Sequence, residues 1–249
     1  MYNENKDFGN VLKCLTSPNG ILCEDEDIEY YKSLLPFFAR IKPTKKRPDA
    51  FAEDGETVLL LEHFQFDNSN INRNGSIQKQ KAAETKRELD RRLAVSKKNY
   101  VVTNETVERT GKNYVKNFQK QFNEHKKNIE DYKTEIQQET KQQYNRYIIG
   151  FVIEDASPFG SVYLNNYNPE TIDLLYTKEF LDLFEKTLQL DFVVFALTGR
   201  NGYNKLSFIS HNSINSHREQ QIEVAPIDTF LFCNSICAST IIKSTSTRK

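Results

Sequence analysis

Asp49 and Glu62, thirteen residues apart in the stretch RPDAFAEDGETVLLLEHFQFD, are the side chains of this sequence whose type and placement point most directly to chemistry. A hard divalent cation such as Mg²⁺ takes oxygen ligands, commonly one or two carboxylates completed by water and a substrate phosphate. Glu62 follows four apolar residues, Val58 to Leu61. A carboxylate that extends a buried strand needs something to offset its loss of water. That something is a metal, a cation such as Arg47 or a nearby Lys, or solvent at a sheet edge. His63 stands next to it. Its imidazole has the chemistry of a metal ligand or a general base, and equally of a histidine hydrogen-bonded within the fold. Two further carboxylates, Glu154 and Asp155, end a second apolar run. Functional groups gather at the ends of parallel strands, so Asp155 either joins Asp49 and Glu62 or caps the turn DASPFG; the cap is favoured.

Positioning such residues takes a framework, and the sequence outlines one. Residues 24–41 read as a helix with acidic residues in its first turn and an apolar face of Ile28, Tyr31, Leu34, Leu35 and Phe38; Pro36 kinks it or ends it early. A basic linker, KPTKKRP, leads to a hairpin with Asp54-Gly55 at its turn. The strand from Val58 to Phe66 opens with VLLL, apolar on both faces, and should be central and buried. YIIGFVIED (147–155) reads as another buried strand. An amphipathic helix over 169–190 follows, with Ile172, Leu175, Phe180, Leu183, Phe184 and Leu188 inward. Strands over 191–197 and 205–210 come next, and then VAPIDTFLFCNSICAST as a strand or helix.

Residues 76–146 differ in kind. Only 19 of these 71 residues are apolar, Pro is absent and Gly nearly so. Leu93, Tyr100, Val107 and Tyr114 are spaced by seven, as are Val115, Phe122, Ile129 and Ile136, with Phe118 and Tyr132 at the second seam position and His125 between them. Such a seam asks for a partner helix. The β-branched stretch NYVVTN suits a helix poorly. The expectation is therefore two antiparallel helices with a turn near 99–104, against one continuous helix that dimerises. The whole reads as a mixed α/β fold: a central sheet flanked by helices, carrying a long antiparallel, coiled-coil-like helical insertion. Residues 1–75 begin the core, 76–146 form the arm, 147–243 complete the core, and 244–249 are a disordered tail.

The hairpin resembles the PD-(D/E)xK nuclease superfamily. There a helix precedes the hairpin, a Pro-Asp sits on the first strand, and the next strand carries Asp or Glu, one variable residue and Lys. Pro48-Asp49 and Glu62 match the first two elements. The resemblance covers residues 24–67 and implies a nuclease-like sheet with Mg²⁺ or Mn²⁺ held by Asp49 and Glu62. An acidic residue of the first helix sometimes contributes, and Glu29 is the candidate. The motif's lysine is missing: Phe64 stands two after Glu62. Residues i and i+2 share a strand face, so a lysine there would stand beside the metal, position the water and stabilise developing charge. The basic group then comes from elsewhere, with Lys79 or Lys81 the first candidates, or is absent. On this reading Asp49, Glu62, His63 and Lys79 carry catalysis.

Charge supports a nucleic-acid partner locally but not globally. The chain has equal numbers of acidic and basic residues, 34 each, yet residues 76–146 hold 17 basic against 10 acidic. Lys45, Lys46, Arg47, Lys79, Lys81, Lys86 and Arg87 are the candidates for a phosphate backbone, DNA before RNA. The competing expectation is an inactive nuclease-fold interaction protein whose arm binds a protein partner or a second copy. No apolar run is long enough to span a membrane, and the start, MYNENKDFGN, lacks the pattern of a secretory signal. With four cysteines, Cys14, Cys23, Cys233 and Cys237, this fits a reducing cytoplasm. Cys233 and Cys237, in the apolar run FLFCNSICAS, read as small buried hydrophobes before a zinc site made with Cys14 and Cys23. The Asn- and Lys-rich composition suggests a bacterial or phage source. No P-loop, G-x-G-x-x-G or G-x-S-x-G pattern is present.

Overall fold

The computed structural model describes residues 4–16, 21–68, 71–72, 75–95, 100–109, 111–156, 161–163, 169–171, 174–199, 202–222 and 230–239. Helices α1 (Glu4–Leu15) and α2 (Asp25–Phe38) come first. Three acids, Asp25, Glu26 and Asp27, open α2, where the free amides favour negative charge. Strands β1 (Lys42–Pro43), β2 (Ala50–Asp54) and β3 (Thr57–Phe66) follow. Gly55 turns the chain between β2 and β3 at φ +59°, a conformation that costs glycine little. Next come β4 (Ile71–Asn72), β5 (Gly75–Ser76), α3 (Ile77–Val95), β6 (Tyr100–Arg109), α4 (Gly111–Lys126) and α5 (Ile129–Thr140). The remainder comprises β7 (Arg146–Asp155), β8 (Ser161–Tyr163), β9 (Pro169–Thr171), a 3-10 turn at Leu174–Tyr176, α6 (Lys178–Glu185), β10 (Phe192–Gly199), β11 (Gly202–Ser210), α7 (Ile214–Glu219) and β12 (Phe230–Ser239).

Six strands form one mixed sheet in the order β1-β2-β3-β7-β10-β11. β3 and β7 run parallel, as do β7 and β10, and the other neighbours are antiparallel. Parallel neighbours need a crossover; the β3–β7 connection contains α4 and α5, and the β7–β10 connection contains α6. Alternate residues of β3 face opposite sides. Val58, Leu60, Phe64 and Phe66 join a core with Tyr114, Phe118 and Phe122 of α4, Ile129, Tyr132 and Ile136 of α5, and Phe180 and Phe184 of α6. Leu59 and Leu61 join a second core with Phe8, Val11 and Leu15 of α1 and Tyr31, Leu34, Phe37 and Phe38 of α2. Helices thus cover both faces, which is why VLLL is apolar throughout. In the middle of β7, Gly150 admits the Phe192 ring: a Cβ there would lie 2.2 Å from its Cζ.

The mixed α/β class and the strands over 57–66, 146–155, 192–199 and 202–210 agree with the sequence reading. The two-helix arm does not. Residues 100–104, the place of the expected turn, are the first half of strand β6, which pairs antiparallel with β12 over all ten residues of each. β-branched residues fit a pleated strand better than a helix or its turn. The seven-residue spacing through Leu93, Tyr100, Val107 and Tyr114 is therefore not a helical seam. The second seam is helical, but its partner is the sheet, with Tyr114, Phe118, Phe122, Ile129, Tyr132 and Ile136 all buried there. The helix expected over 169–190 is shorter: Thr177 caps it by accepting from the Phe180 amide, and Leu188 is 83% exposed. Helix α1 has no counterpart in the sequence reading. Ile172, the side chains of Cys233 and Cys237, and the tail 244–249 lie outside the described residues.

Candidate active site

Hairpin register brings the two carboxylates together. Ala50 pairs with Leu61 across β2 and β3, and one step further along the same antiparallel register sets Asp49 opposite Glu62, with both side chains on one face. The His63 backbone amide donates to Asp49 Oδ2 at 2.7 Å. Glu62 is 3% exposed. Its Oε1 lies 2.7 Å from His125 Nδ1, while its buried Oε2 has no hydrogen-bond partner among the described residues. His125 occupies the last turn of α4, where free carbonyls favour a cation. Its ring stacks on Phe64, with centroids 4.7 Å apart and planes 15° from parallel, and meets the edge of Phe151. The Tyr132 hydroxyl of α5 is 3.4 Å from the same Nδ1 and 3.3 Å from the His125 carbonyl.

Electrostatics follow from this packing. Burial foremost, and then the facing Glu62 charge, raise the Asp49 carboxyl above the usual carboxylate range; the His63 amide and the imidazoles of His63 and His125 work against that rise. Burial and the Glu62 charge push the Tyr132 phenol far up, so it stays protonated, and its hydroxyl donates to the His125 carbonyl. Two carboxylates facing one another, one of them buried, are a donor set that could hold a cation. These residues fit an Mg²⁺- or Mn²⁺-type ion that keeps most of its ligands as water or phosphate oxygen. They do not fit a closed protein cage, since no three His, Cys, Asp or Glu side chains among the described residues are grouped to hold a metal.

Several sequence candidates lie elsewhere. The His63 side chain is on the opposite face from Glu62, as strand alternation requires. Its Nε2 is 3.1 Å from Glu154 Oε2, Gln65 Nε2 donates to the same oxygen at 2.6 Å, and the ring stacks on Phe8. Its hydrogen bond to Asp49 comes from the backbone amide and not from the ring. Glu29 is 86% exposed, pairs with Lys32 at 2.7 Å, and belongs to α2, which packs on the face opposite Glu62. Asp155 does not join either: Glu62 pairs with Phe151 and Asp155 with Phe66, four residues along, or roughly 13 Å at about 3.3 Å per residue. Lys81, Lys86 and Arg87 are exposed on α3, which packs against the β6–β12 ribbon. The Lys79 side chain lies outside the described residues. Lys45, Lys46 and Arg47 are exposed on the loop that ends in Asp49. The Arg47 amide donates to Glu135 Oε2, and a cavity of ≈ 280 Å³ is lined by Lys45, Lys46, Glu135, Gln138 and Glu139.

His125 and Tyr132 are the site residues that motif reasoning passed over. Their signal was present: a titratable ring interrupting the apolar positions Phe118, Phe122, Ile129 and Tyr132 on one helical face. Among the described residues no helix is long and apolar enough to cross a membrane. Compared with protein families, curated proteins and solved structures, the chain matches none.

Proposed function

We propose that this chain is a metal-dependent nuclease of the PD-(D/E)xK kind, hydrolysing phosphodiester bonds of nucleic acid, DNA before RNA. The observation that carries the reading is the buried Glu62 carboxylate, with an unpartnered oxygen, facing Asp49 across the hairpin. A helix precedes that hairpin and the Pro48-Asp49 and Glu62 order matches the motif. Asp49 and Glu62 would hold Mg²⁺ or Mn²⁺, which would supply Lewis acidity toward phosphate and water. The chain's own residues hold the acidic pair in register, keep Glu62 out of bulk water, and offer Lys45, Lys46 and Arg47 beside it for the phosphate backbone.

Cleavage of single- and double-stranded DNA and RNA by the purified chain with Mn²⁺ tests this. Metal-dependent cleavage should be lost in Asp49→Asn and Glu62→Gln and kept in Glu29→Ala. No cleavage of any nucleic acid, or a Glu62→Gln variant as fast as wild type, overturns it. Phe64 at the lysine position favours the second reading, an inactive nuclease-fold protein that binds a partner. Against it, the seam from Tyr114 to Ile136 is buried on the chain's own sheet, so that seam offers no docking face.

A further inference from the structure

We infer that the cavity between the basic loop and α5 is a subsite for one unpaired guanine nucleotide of a nucleic-acid strand. This deepens the nuclease reading above and rests on it for the place of the strand. Two walls enclose the ≈ 280 Å³: Lys45 and Lys46 form one, and Glu135, Gln138 and Glu139 the other. The first wall is held in place. The Thr44 amide donates to the Asp49 carbonyl at 3.1 Å and the Thr44 hydroxyl to the Pro48 carbonyl, which closes the loop. The Arg47 amide donates to Glu135 Oε2 at 3.2 Å, which ties the loop to α5. On a helix, residues three and four apart are neighbours, so Glu135, Gln138 and Glu139 stand together while Tyr132 and Ile136 turn to the core. Both walls adjoin the acidic pair. The loop runs into Asp49, and Glu135 follows within one turn of Tyr132, whose hydroxyl meets the carbonyl of His125 beside Glu62.

Two ammonium and two carboxylate groups line this one space. Among the described residues neither lysine forms an ion pair with either glutamate. Opposite charges facing across a gap suit a ligand with an anion at one end and N–H donors at the other. A nucleotide is such a ligand: its phosphate meets Lys45 and Lys46, and its base meets α5. Guanine carries N1–H and the N2 amine side by side, which one carboxylate accepts as a pair, and beside them O6, which an amide N–H of Gln138 can meet. Adenine and cytosine carry one amine next to an acceptor, and uracil and thymine one N–H between two acceptors. Because Glu135 already holds the Arg47 amide, Glu139 is the carboxylate assigned to the base. The groups it reads lie on the Watson–Crick edge, so the base must be unpaired. Volume agrees. The cavity lies at the small end of ligand pockets, which begin near about 300 Å³, and it takes one nucleotide and not a duplex.

The test uses the full chain with a chelator present, so that binding is read without cleavage. Calorimetry compares 5′-GMP, 5′-IMP, which lacks the N2 amine, and 5′-UMP. It then compares an oligothymidine carrying one guanine, the same strand without it, and the guanine strand paired with its complement. 5′-GMP should bind about tenfold or more tighter than 5′-IMP and 5′-UMP, the change expected when a hydrogen bond to a charged group is removed. Glu139→Gln, a substitution at an exposed position, should abolish that preference. Lys45→Ala with Lys46→Ala should weaken all three nucleotides alike. One guanine should tighten binding of the single strand and not of the duplex. Equal binding of the three nucleotides, or a preference that survives Glu139→Gln, overturns the subsite. A preference for 5′-GMP with no gain from guanine in the strand, or with an equal gain in the duplex, overturns its place in an unpaired strand. With Mn²⁺ restored, a chain that prefers guanine and cuts no nucleic acid overturns the nuclease reading and leaves the guanine subsite standing.

Discussion

Asp49 carries the clearest electrostatic consequence of the site. Its carboxyl is raised by burial and by Glu62. A carboxyl with a raised folded-state pKa binds its proton more tightly in the folded chain. Its contribution to stability is complete below the ordinary Asp range and is lost as pH rises through the raised value. Asparagine keeps the acceptor for the His63 amide and never ionises. In the presence of a chelator, Asp49→Asn should therefore melt above wild type at neutral pH, and the gap should close on acidification below the carboxylate range. If the acidic pair holds the proposed ion, added Mg²⁺ should raise the Tm of wild type and not that of the variant, since an ion that binds only the folded chain stabilises it. Thermal unfolding followed by circular dichroism across pH decides both points. Equal melting of the two proteins at neutral pH would contradict the electrostatic picture.

Helix α4 shows how one element serves both the core and the site. Gly111–Lys126 presents Tyr114, Phe118 and Phe122 to the sheet and ends on His125 over Glu62. Packing at Phe118 thus sets where the imidazole stands. Phe118→Ala should cost about 3–5 kcal/mol of stability, the usual loss for a buried ring, in a chain whose sedimentation is unchanged. If the seam were instead an interface between copies, the same substitution would dissociate a dimer. Leu188, counted inward on the helical spacing, is 83% exposed beyond the end of α6, and Leu188→Ala should move stability by less than about 0.5 kcal/mol. Urea unfolding of the two variants separates the helix that exists from the longer one the spacing implied.

The whole molecule is neutral, so any hold on nucleic acid must be local. The exposed trio Lys45, Lys46 and Arg47 leads straight into Asp49; on the proposed function these cations would lie along a phosphate chain entering the acidic pair. Replacing all three with alanine should weaken binding to every sequence alike. It should also flatten the dependence of affinity on salt, by about one unit of slope for each phosphate no longer neutralised. Filter binding over a salt series with the Glu62→Gln variant, in which the proposed cleavage would be lost, measures this. An unchanged slope would move the binding surface elsewhere, with Lys81, Lys86 and Arg87 on α3 the next residues to replace.

Much of this was legible in local pattern. Alternation and continuous apolar runs marked β3, β7 and β10, Asp54-Gly55 marked the turn, and the isolated polar Glu62 after VLLL marked the site, because period-two burial and turn chemistry act between near neighbours in the chain. What local pattern could not decide was which surface each element meets. Seven-residue spacing is common to a coiled coil and to a helix lying on a sheet, so residues 114–136 read as an arm although they are core. The pairing of β6 with β12 joins segments more than a hundred residues apart, and no local signal carries it. His125 reaches Glu62 from 63 residues away. The acidic pair follows from the hairpin's sequence, whereas its basic neighbour exists only because α4 crosses the sheet at Phe64.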